Sequence, residues 1–146
     1  MVKILVIDDE EDIRELLMYN LRKEGYLVLD AENGEKGLTI MRESQPDLIL
    51  LDVMMPGMDG FEVCRRLKND PRTESIPVIF LTAADDATNV VQGFELGAVD
   101  YVTKPANPTV LKVRVRTHLT RTRAIAELKK QYEVMVLDPP AFAKSM

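Results

Sequence analysis

The stretch DLILLDVMMPGMDGFEV, residues 47–63, places an acid at the end of a short apolar run. Residues 48–51 are four consecutive aliphatic residues, a composition typical of a strand that is buried on both faces of a parallel sheet. Asp52 follows at once, and Pro56 and Gly57 then favour a loop. The sequence therefore predicts a rigid strand that presents one carboxylate at the start of an exposed loop.

Four further apolar runs alternate with amphipathic segments along the chain. We predict strands at residues 4–7, 26–31, 48–51, 76–82 and 99–103, and helices at residues 10–24, 34–44, 60–70, 86–96 and 108–132. Asn33 and Asp59 are expected to cap the second and third helices, and Gly25 to end the first. Such alternation predicts an α/β fold, a doubly wound parallel sheet of five strands with helices on both faces.

Composition narrows the class of protein. The chain has 146 residues and a net charge of −5, which argues against nucleic acid or an anionic membrane as the direct partner of the whole domain. A single cysteine, Cys64, excludes an internal disulfide and a Cys-rich metal site. No apolar run approaches the roughly 20 residues of a membrane span, and the N-terminus does not resemble a signal peptide. We expect a cytoplasmic protein.

Polar residues stand at the ends of four predicted strands. Asp8 and Asp9 follow the first strand, Asp52 the third, Thr82 ends the fourth, and Lys104 follows the fifth. Because the carboxyl ends of parallel strands share one edge, these side chains are expected to converge there. Neighbouring carboxylates raise one another's pKa, and Mg²⁺, which prefers oxygen ligands, relieves that conflict. With an ammonium and a hydroxyl added, the set is typical of a site that receives a phosphoryl group on Asp52.

Each of these residues also has a simpler interpretation. An aspartate after a strand is most often a turn former or a helix cap. Thr82 alone would be an ordinary strand residue, and Lys104 alone a solvated side chain. Their joint placement at four strand ends favours the functional interpretation.

Four motifs together resemble a bacterial two-component response-regulator receiver domain. They are ILVIDDEEDIRELL, DLILLDVMMPGMDGFEVCRRLK, PVIFLTA and GAVDYVTKP, in that order, and the resemblance covers about residues 2–120. It implies a flavodoxin-like sheet with strand order 2-1-3-4-5. It also implies a phosphorylation-activated signalling switch that accepts a phosphoryl group from a histidine kinase.

The resemblance implies a magnesium site. Asp8 and Asp9 match the acidic pair of the family's metal site, and Asp9 is the expected direct ligand. Asp52 and the backbone carbonyl of Met54 complete the implied ligand set.

The resemblance also implies roles at the phosphoryl group. Asp52 matches the phosphoacceptor, and Lys104 the lysine that pairs with the phosphoryl group. Thr82 and Tyr101 match the two switch residues. The peptide bond between Lys104 and Pro105 matches one that is usually cis in the family.

The implied partners are a sensor histidine kinase or a histidine phosphotransfer protein, and an output domain or protein that contacts helix 4, strand 5 and helix 5. Self-phosphotransfer and autodephosphorylation are the only chemistry expected, so the chain is not predicted to be an enzyme. A Mg²⁺-dependent phosphatase is an alternative, but such sites usually carry a second aspartate where this chain has Met54. A second alternative is a degenerate receiver that serves only as an interaction module.

Ala106 stands where many receivers have a bulky residue, and its small side chain predicts looser packing below the site.

We predict a receiver domain at residues 1–122 and a helical extension with an irregular tail at residues 123–146. Ile125, Leu128, Tyr132 and Met135 are spaced 3-4-3, as in a coiled-coil seam, over barely two heptads. Two interpretations stay open, a linker helix that forms a homodimer and an overhanging helix 5. Basic residues along this helix are interpreted as a solvated face. The string DPPAF, residues 138–142, resembles a methyltransferase motif and is interpreted as coincidence.

Overall fold

A computed structural model describes residues 1–83 and 87–137, in which five strands alternate with five helices. The elements are β1 (Lys3–Ile7), α1 (Glu11–Lys23), β2 (Leu27–Ala31), α2 (Gly34–Ser44), β3 (Leu48–Asp52), α3 (Gly60–Lys68), β4 (Val78–Ala83), α4 (Ala87–Glu95), β5 (Asp100–Lys104) and α5 (Pro108–Leu137). Ala84 and the DPPAF string lie outside the described residues.

All strand pairs are parallel, and the order across the sheet is β2-β1-β3-β4-β5. The predicted fold class and strand order are confirmed. Strand β3 is central, because it pairs with β1 on one side and with β4 on the other. Its five residues are all buried, as the uninterrupted apolar run predicts.

Alternate strand residues feed two cores, one on each face of the sheet. Leu5 and Ile7 pack with side chains of α2 and α3, whereas Ile4 and Val6 pack with side chains of α1 and α5. This division follows from the period of two along a strand. The sheet is therefore covered on both faces, and its carboxyl edge is left for polar residues.

The predicted helix ends are confirmed at three positions. The Asn33 side chain accepts a hydrogen bond from the backbone N–H of Lys36 at 2.9 Å, and Asp59 accepts one from that of Glu62 at 2.9 Å. Gly25 has φ +88°, the left-handed conformation that commonly ends a helix. The fourth strand begins at Val78 rather than at residue 76, because Pro77 has no N–H for the ladder.

Helix α5 continues five residues past its predicted end at 132 and runs unbroken through the predicted domain boundary at 122. Leu111, Val115 and Leu119 in its first half are buried against the sheet. Ile125 and Leu128 further along are 54% and 64% exposed. Within the described part of the chain, every helix is too short or too polar to cross a lipid bilayer.

Helix α3 begins against the end of β3, and Gly60 permits this close approach. The backbone N–H of Gly60 donates to the carbonyl of Val53 at 2.9 Å. A Cβ on Gly60 would lie 2.2 Å from the carbonyl oxygen of Asp52. Backbone cannot move aside as a flexible side chain can, so any larger residue must displace either α3 or the end of β3.

We predict that Gly60→Ala lowers the free energy of unfolding by about 2–3 kcal/mol, because the new methyl group overlaps fixed backbone. Urea denaturation measures this change. Gly57→Ala is the matched control, since Gly57 has φ +74° and open space around it. That control should lose only the roughly 1 kcal/mol of a strained backbone. Equal losses for both variants would contradict the steric explanation.

Candidate functional site

The ammonium of Lys104 lies between two buried carboxylates at the carboxyl edge of the sheet. Its Nζ is 2.9 Å from Asp8 Oδ2 and 3.1 Å from Asp52 Oδ2. Asp8 is 0% exposed and Asp52 is 2% exposed. A third acid, Glu10, contributes Oε1 at 3.7 Å. The structure thus brings together residues from β1, β3 and β5 that are separated by tens of positions in the sequence.

Backbone groups fix the other oxygen of each buried carboxylate. Asp8 Oδ1 accepts a hydrogen bond from the N–H of Glu10 at 2.8 Å, and Asp52 Oδ1 accepts one from the N–H of Met54 at 3.3 Å. Each carboxylate is therefore held on one side by the loop that follows its strand and on the other by Lys104. Arg14 adds support, because its guanidinium donates to the carbonyl of Asp8 at 2.8 Å.

The electrostatics of the site follow from burial and from crowded charge. Burial and the negative charge of Asp8 together raise the pKa of Asp52 to about 7, even though the positive charge and hydrogen bond of Lys104 lower it. Burial alone would lower the pKa of Lys104, but its hydrogen bonds with Asp8 and Asp52 and their charges outweigh burial and raise it. The lysine therefore stays charged, while Asp52 exchanges its proton near neutral pH.

Asp8, Asp9 and Glu10 offer a cluster of oxygen donors whose ligand atoms lie within 4.8 Å of one another. Asp9 and Glu10 are exposed, and Asp8 is buried. Hard oxygen donors of this kind fit Mg²⁺, which retains several waters. Sequence reasoning missed Glu10, although the run of acids that begins at Asp8 contained the signal.

Thr82 lies one residue beyond the β4 partner of Asp52. Asp52 pairs with Leu81 in the β3–β4 register, so Thr82 is the next residue toward the carboxyl edge. The Thr82 side chain is 3% exposed, and its Oγ1 has no hydrogen-bond partner among residues 1–83 and 87–137. A buried hydroxyl without a partner is uncommon and costs free energy, which is consistent with a binding role.

Tyr101 lies on the neighbouring edge strand, away from the carboxylates. Its ring meets Phe94 of α4 edge-on, with ring centroids 6.2 Å apart, and the guanidinium carbon of Arg114 lies 5.2 Å from its centroid. The peptide bond between Lys104 and Pro105 is cis, as the resemblance implies. Sequence reasoning did not foresee the contact with Arg114, because no local pattern joins a strand to a helix across a loop.

An apolar groove of about 360 Å³ opens beside Lys104, between α1 and the loop that precedes α5. Ile13 and Leu16 of α1 line one side, and Pro105 and Ala106 line the other. Leu16 is exposed even though it lies on the predicted apolar face of α1. The small side chain of Ala106 leaves this space open, in agreement with the predicted loose packing.

The pKa of Asp52 predicts how stability changes with pH. The folded state holds this proton up to about pH 7, whereas an unfolded carboxyl loses it near 3.8. The folded state therefore binds more protons in this window, and its stability falls as pH rises. Asp52→Asn has no proton to lose. Relative to wild type, its free energy of unfolding should rise by about 2–3 kcal/mol from pH 5 to pH 8.

Urea denaturation in buffer with a metal chelator measures this difference at both pH values. Glu43→Gln removes an exposed acid on α2 and serves as the control for the loss of one carboxyl group. A pH-independent difference for Asp52→Asn would contradict the raised pKa.

Comparison with known proteins places this geometry in a family. Residues 4–116 match the response regulator receiver domain. The transcriptional regulatory protein AfsQ1 of Streptomyces coelicolor is 45% identical over 141 residues, which are 97% of this chain and 61% of that protein. The response regulator PleD of Caulobacter vibrioides is 47% identical over 131 residues, which are 90% of this chain and 29% of that protein.

Solved structures agree with the sequence matches. The crystal structure of a response regulator receiver domain protein from Clostridium thermocellum is 31% identical, with a TM-score of 0.79, and the match covers 86% of this chain and 99% of that one. The chain spans less than two thirds of the length of the two curated relatives described above. From its sequence match and its fold, this chain belongs to the receiver-domain family of response regulators, the phosphorylation-dependent signalling domains of two-component systems.

Proposed function

We propose that Asp52 accepts a phosphoryl group from a histidine kinase or a histidine phosphotransfer protein and that the chain acts as a phosphorylation-operated switch. One observation carries this proposal: the Lys104 ammonium lies at 2.9 Å and 3.1 Å from two buried carboxylates. A cation between two buried acids can exchange one carboxylate for a phosphoryl oxygen without leaving any of these charges unpaired.

The proposed transfer forms one bond and breaks one. An Asp52 carboxylate oxygen attacks the phosphorus of a phosphohistidine, the N–P bond breaks, and its electron pair returns to the imidazole nitrogen. Lys104 stays paired with Asp8 and turns toward a phosphoryl oxygen. The Thr82 hydroxyl donates to a second phosphoryl oxygen and gains the partner that it lacks among the described residues.

Asp8, Asp9, the Asp52 carboxylate and the Met54 carbonyl would hold Mg²⁺, as the family resemblance implies. Bound Mg²⁺ would offset the negative charge that the phosphoryl group adds beside three acids. The cluster of Asp8, Asp9 and Glu10 supports this ligand set, because its oxygens face one another across less than 4.8 Å. Glu10 is the additional acid that the structure brings to this set, through water or directly.

The groove beside Lys104 suits the phosphodonor as a docking surface. It adjoins the phosphoryl site, and its exposed Leu16 and half-buried Ile13 offer apolar area to a partner. On the other side of the domain, Val91 and Phe94 of α4 and Val113 of α5 are exposed. We assign this second face to the output domain or output protein, since Tyr101 packs directly beneath Phe94.

The exposed end of α5 is the part of the chain that could pair with a second copy to form a homodimer. Ile125, Leu128, Tyr132 and Met135 are all exposed, so their 3-4-3 seam is available to a second copy. Two heptads make a short seam, and a free helix of this length is marginal in water. The linker that dimerises and the overhanging helix both stay predictions, as does the boundary between residues 122 and 123.

Receiver domains are signalling domains, and turnover is not part of this proposal. A phosphatase that uses Asp52 as nucleophile would need a general acid two residues later, and that position is the apolar, exposed Met54. We expect only self-phosphotransfer and autodephosphorylation.

Beryllofluoride, which mimics an aspartyl phosphate, tests the proposal. Wild type should bind it only with Mg²⁺, and Asp52→Asn should not bind it, because the Asn side chain cannot ligate beryllium. Thr82→Ala should bind about tenfold more weakly through the loss of one hydrogen bond, and Thr82→Ser should bind like wild type. Fluorine NMR of the bound ligand measures all four proteins.

Glu43→Gln is the control for loss of an acid elsewhere, and it should bind like wild type. If folded wild type does not bind with Mg²⁺, the proposed function is wrong and the chain is a degenerate receiver that serves as an interaction module. Binding by Asp52→Asn would show that another residue takes the phosphoryl mimic.

A further inference from the structure

We infer that Arg114 is a positioning residue that holds the Tyr101 ring against helices α4 and α5 and thereby sets how readily the site takes a phosphoryl group. This inference rests on the proposed function and deepens it. The family resemblance names Tyr101 as a switch residue but assigns no part to Arg114.

Arg114 contacts Tyr101 in two ways. Its guanidinium lies over the aromatic ring, 5.2 Å from the centroid, and its Nη1 donates a hydrogen bond to the Tyr101 carbonyl. The ring also meets Phe94 of α4 edge-on. The tyrosine thus contacts a cation from α5 and an aromatic ring from α4, and both contacts must break if the ring is to rotate away.

The path of the Arg114 side chain makes this contact unusual. Val102 packs with Leu111 and Val115 of α5 in one core, whereas Tyr101 packs against the core on the opposite face of the sheet. Arg114 therefore reaches around the edge strand β5 to touch a residue on the far side. Helix α5 therefore contacts Tyr101 as well as the core on its own face of the sheet.

A pair between buried His118 and half-buried Asp100 attaches the helix that carries Arg114 to β5. His118 is buried, and its Nε2 lies 2.9 Å from Asp100 Oδ2. The other oxygen of Asp100 accepts from the N–H of Tyr101 at 2.8 Å and lies 3.8 Å from Arg114 Nη1. Asp100 thus links the strand to two successive turns of α5. Arg114 is held in place by these contacts, so its position over the ring is not that of a freely rotating surface side chain.

The consequence for the switch follows from linkage. A contact made in one state of a two-state element stabilises that state, and its loss moves the population toward the other. Arg114 clamps Tyr101 in a structure in which the Thr82 hydroxyl has no partner among the described residues, whereas in the proposed phosphorylated state that hydroxyl donates to a phosphoryl oxygen. In this proposal the clamped ring belongs to the state without a phosphoryl group. Removal of the clamp therefore favours the state that binds the phosphoryl group.

A purely structural arginine predicts a different result. If Arg114 only attached α5 to the sheet, its loss would lower thermal stability and leave the affinity for a phosphoryl mimic unchanged or weaker. An increase in affinity is the signature of a clamp, because general loosening of a binding site does not tighten binding.

The test compares Mg²⁺–beryllofluoride affinity in the full chain by fluorine NMR. Arg114→Ala should bind about three- to tenfold more tightly than wild type, and Arg114→Lys, which keeps the charge but loses the planar stacking group, should fall between them. Arg116→Ala is the matched control, since Arg116 lies on the same helix and pairs with Glu24 at 3.6 Å, away from Tyr101. It should bind like wild type.

A double-variant cycle tests the route of the effect. In a Tyr101→Ala background, Arg114→Ala should change affinity by less than twofold, because no ring is left to hold. Suppose that wild type binds the mimic, and that folded Arg114→Ala and Arg114→Lys bind it no more tightly than wild type does. The clamp is then wrong, while the proposed function stands. If wild type itself does not bind, the proposed function fails first.

Discussion

The fold depends on one electrostatic constraint, the ammonium of Lys104 between the buried carboxylates of Asp8 and Asp52. Asp8 directly follows β1 and Asp52 ends β3, two adjacent inner strands whose other residues are mostly buried aliphatic side chains. Without a cation, two such charges would be costly to bury, and removal of the lysine would leave them uncompensated. The sheet tolerates the pair because β5 brings Lys104 to the same edge. The two buried carboxylates consequently lower the stability of the folded domain, and a phosphoryl group and a metal would offset this loss.

Other residues of the domain hold Asp52 in place or connect the carboxyl edge of the sheet to the helices. Gly60 lets α3 begin directly against the backbone of Asp52, so Asp52 cannot shift without moving a helix. Thr82 and Tyr101 lie on β4 and β5, which connects events at the edge of the sheet to α4 and α5. Arg114 and His118 then join α5 to the same strand as Tyr101. A local change of charge at Asp52 thus lies next to β4, which pairs with β5, and β5 in turn contacts side chains of α5.

Sequence patterns were sufficient for the parts of the structure that depend on local chemistry or on simple topology. The continuous apolar run before Asp52 predicted a central strand, and the caps at Asn33 and Asp59 fixed two helix ends. Convergence of Asp8, Asp52 and Lys104 followed from the shared edge of parallel strands. Contacts between side chains on different elements were beyond such patterns. Glu10 was overlooked within its acidic run, and the contact of Arg114 with Tyr101 depends on a path around β5 that no periodicity records. The length of α5 was underestimated by five residues, although its apolar residues keep helical spacing as far as Met135.

The central claim is that Asp52 takes a phosphoryl group from a phosphorus–nitrogen donor. The most direct measurement is intact and peptide mass spectrometry after incubation with phosphoramidate and Mg²⁺, since phosphoramidate carries the same N–P bond as phosphohistidine. The account predicts one phosphoryl group per chain, on the peptide that contains Asp52, and none when Mg²⁺ is chelated. A folded chain that gains no mass, or that carries the group on a peptide without Asp52, would contradict the account.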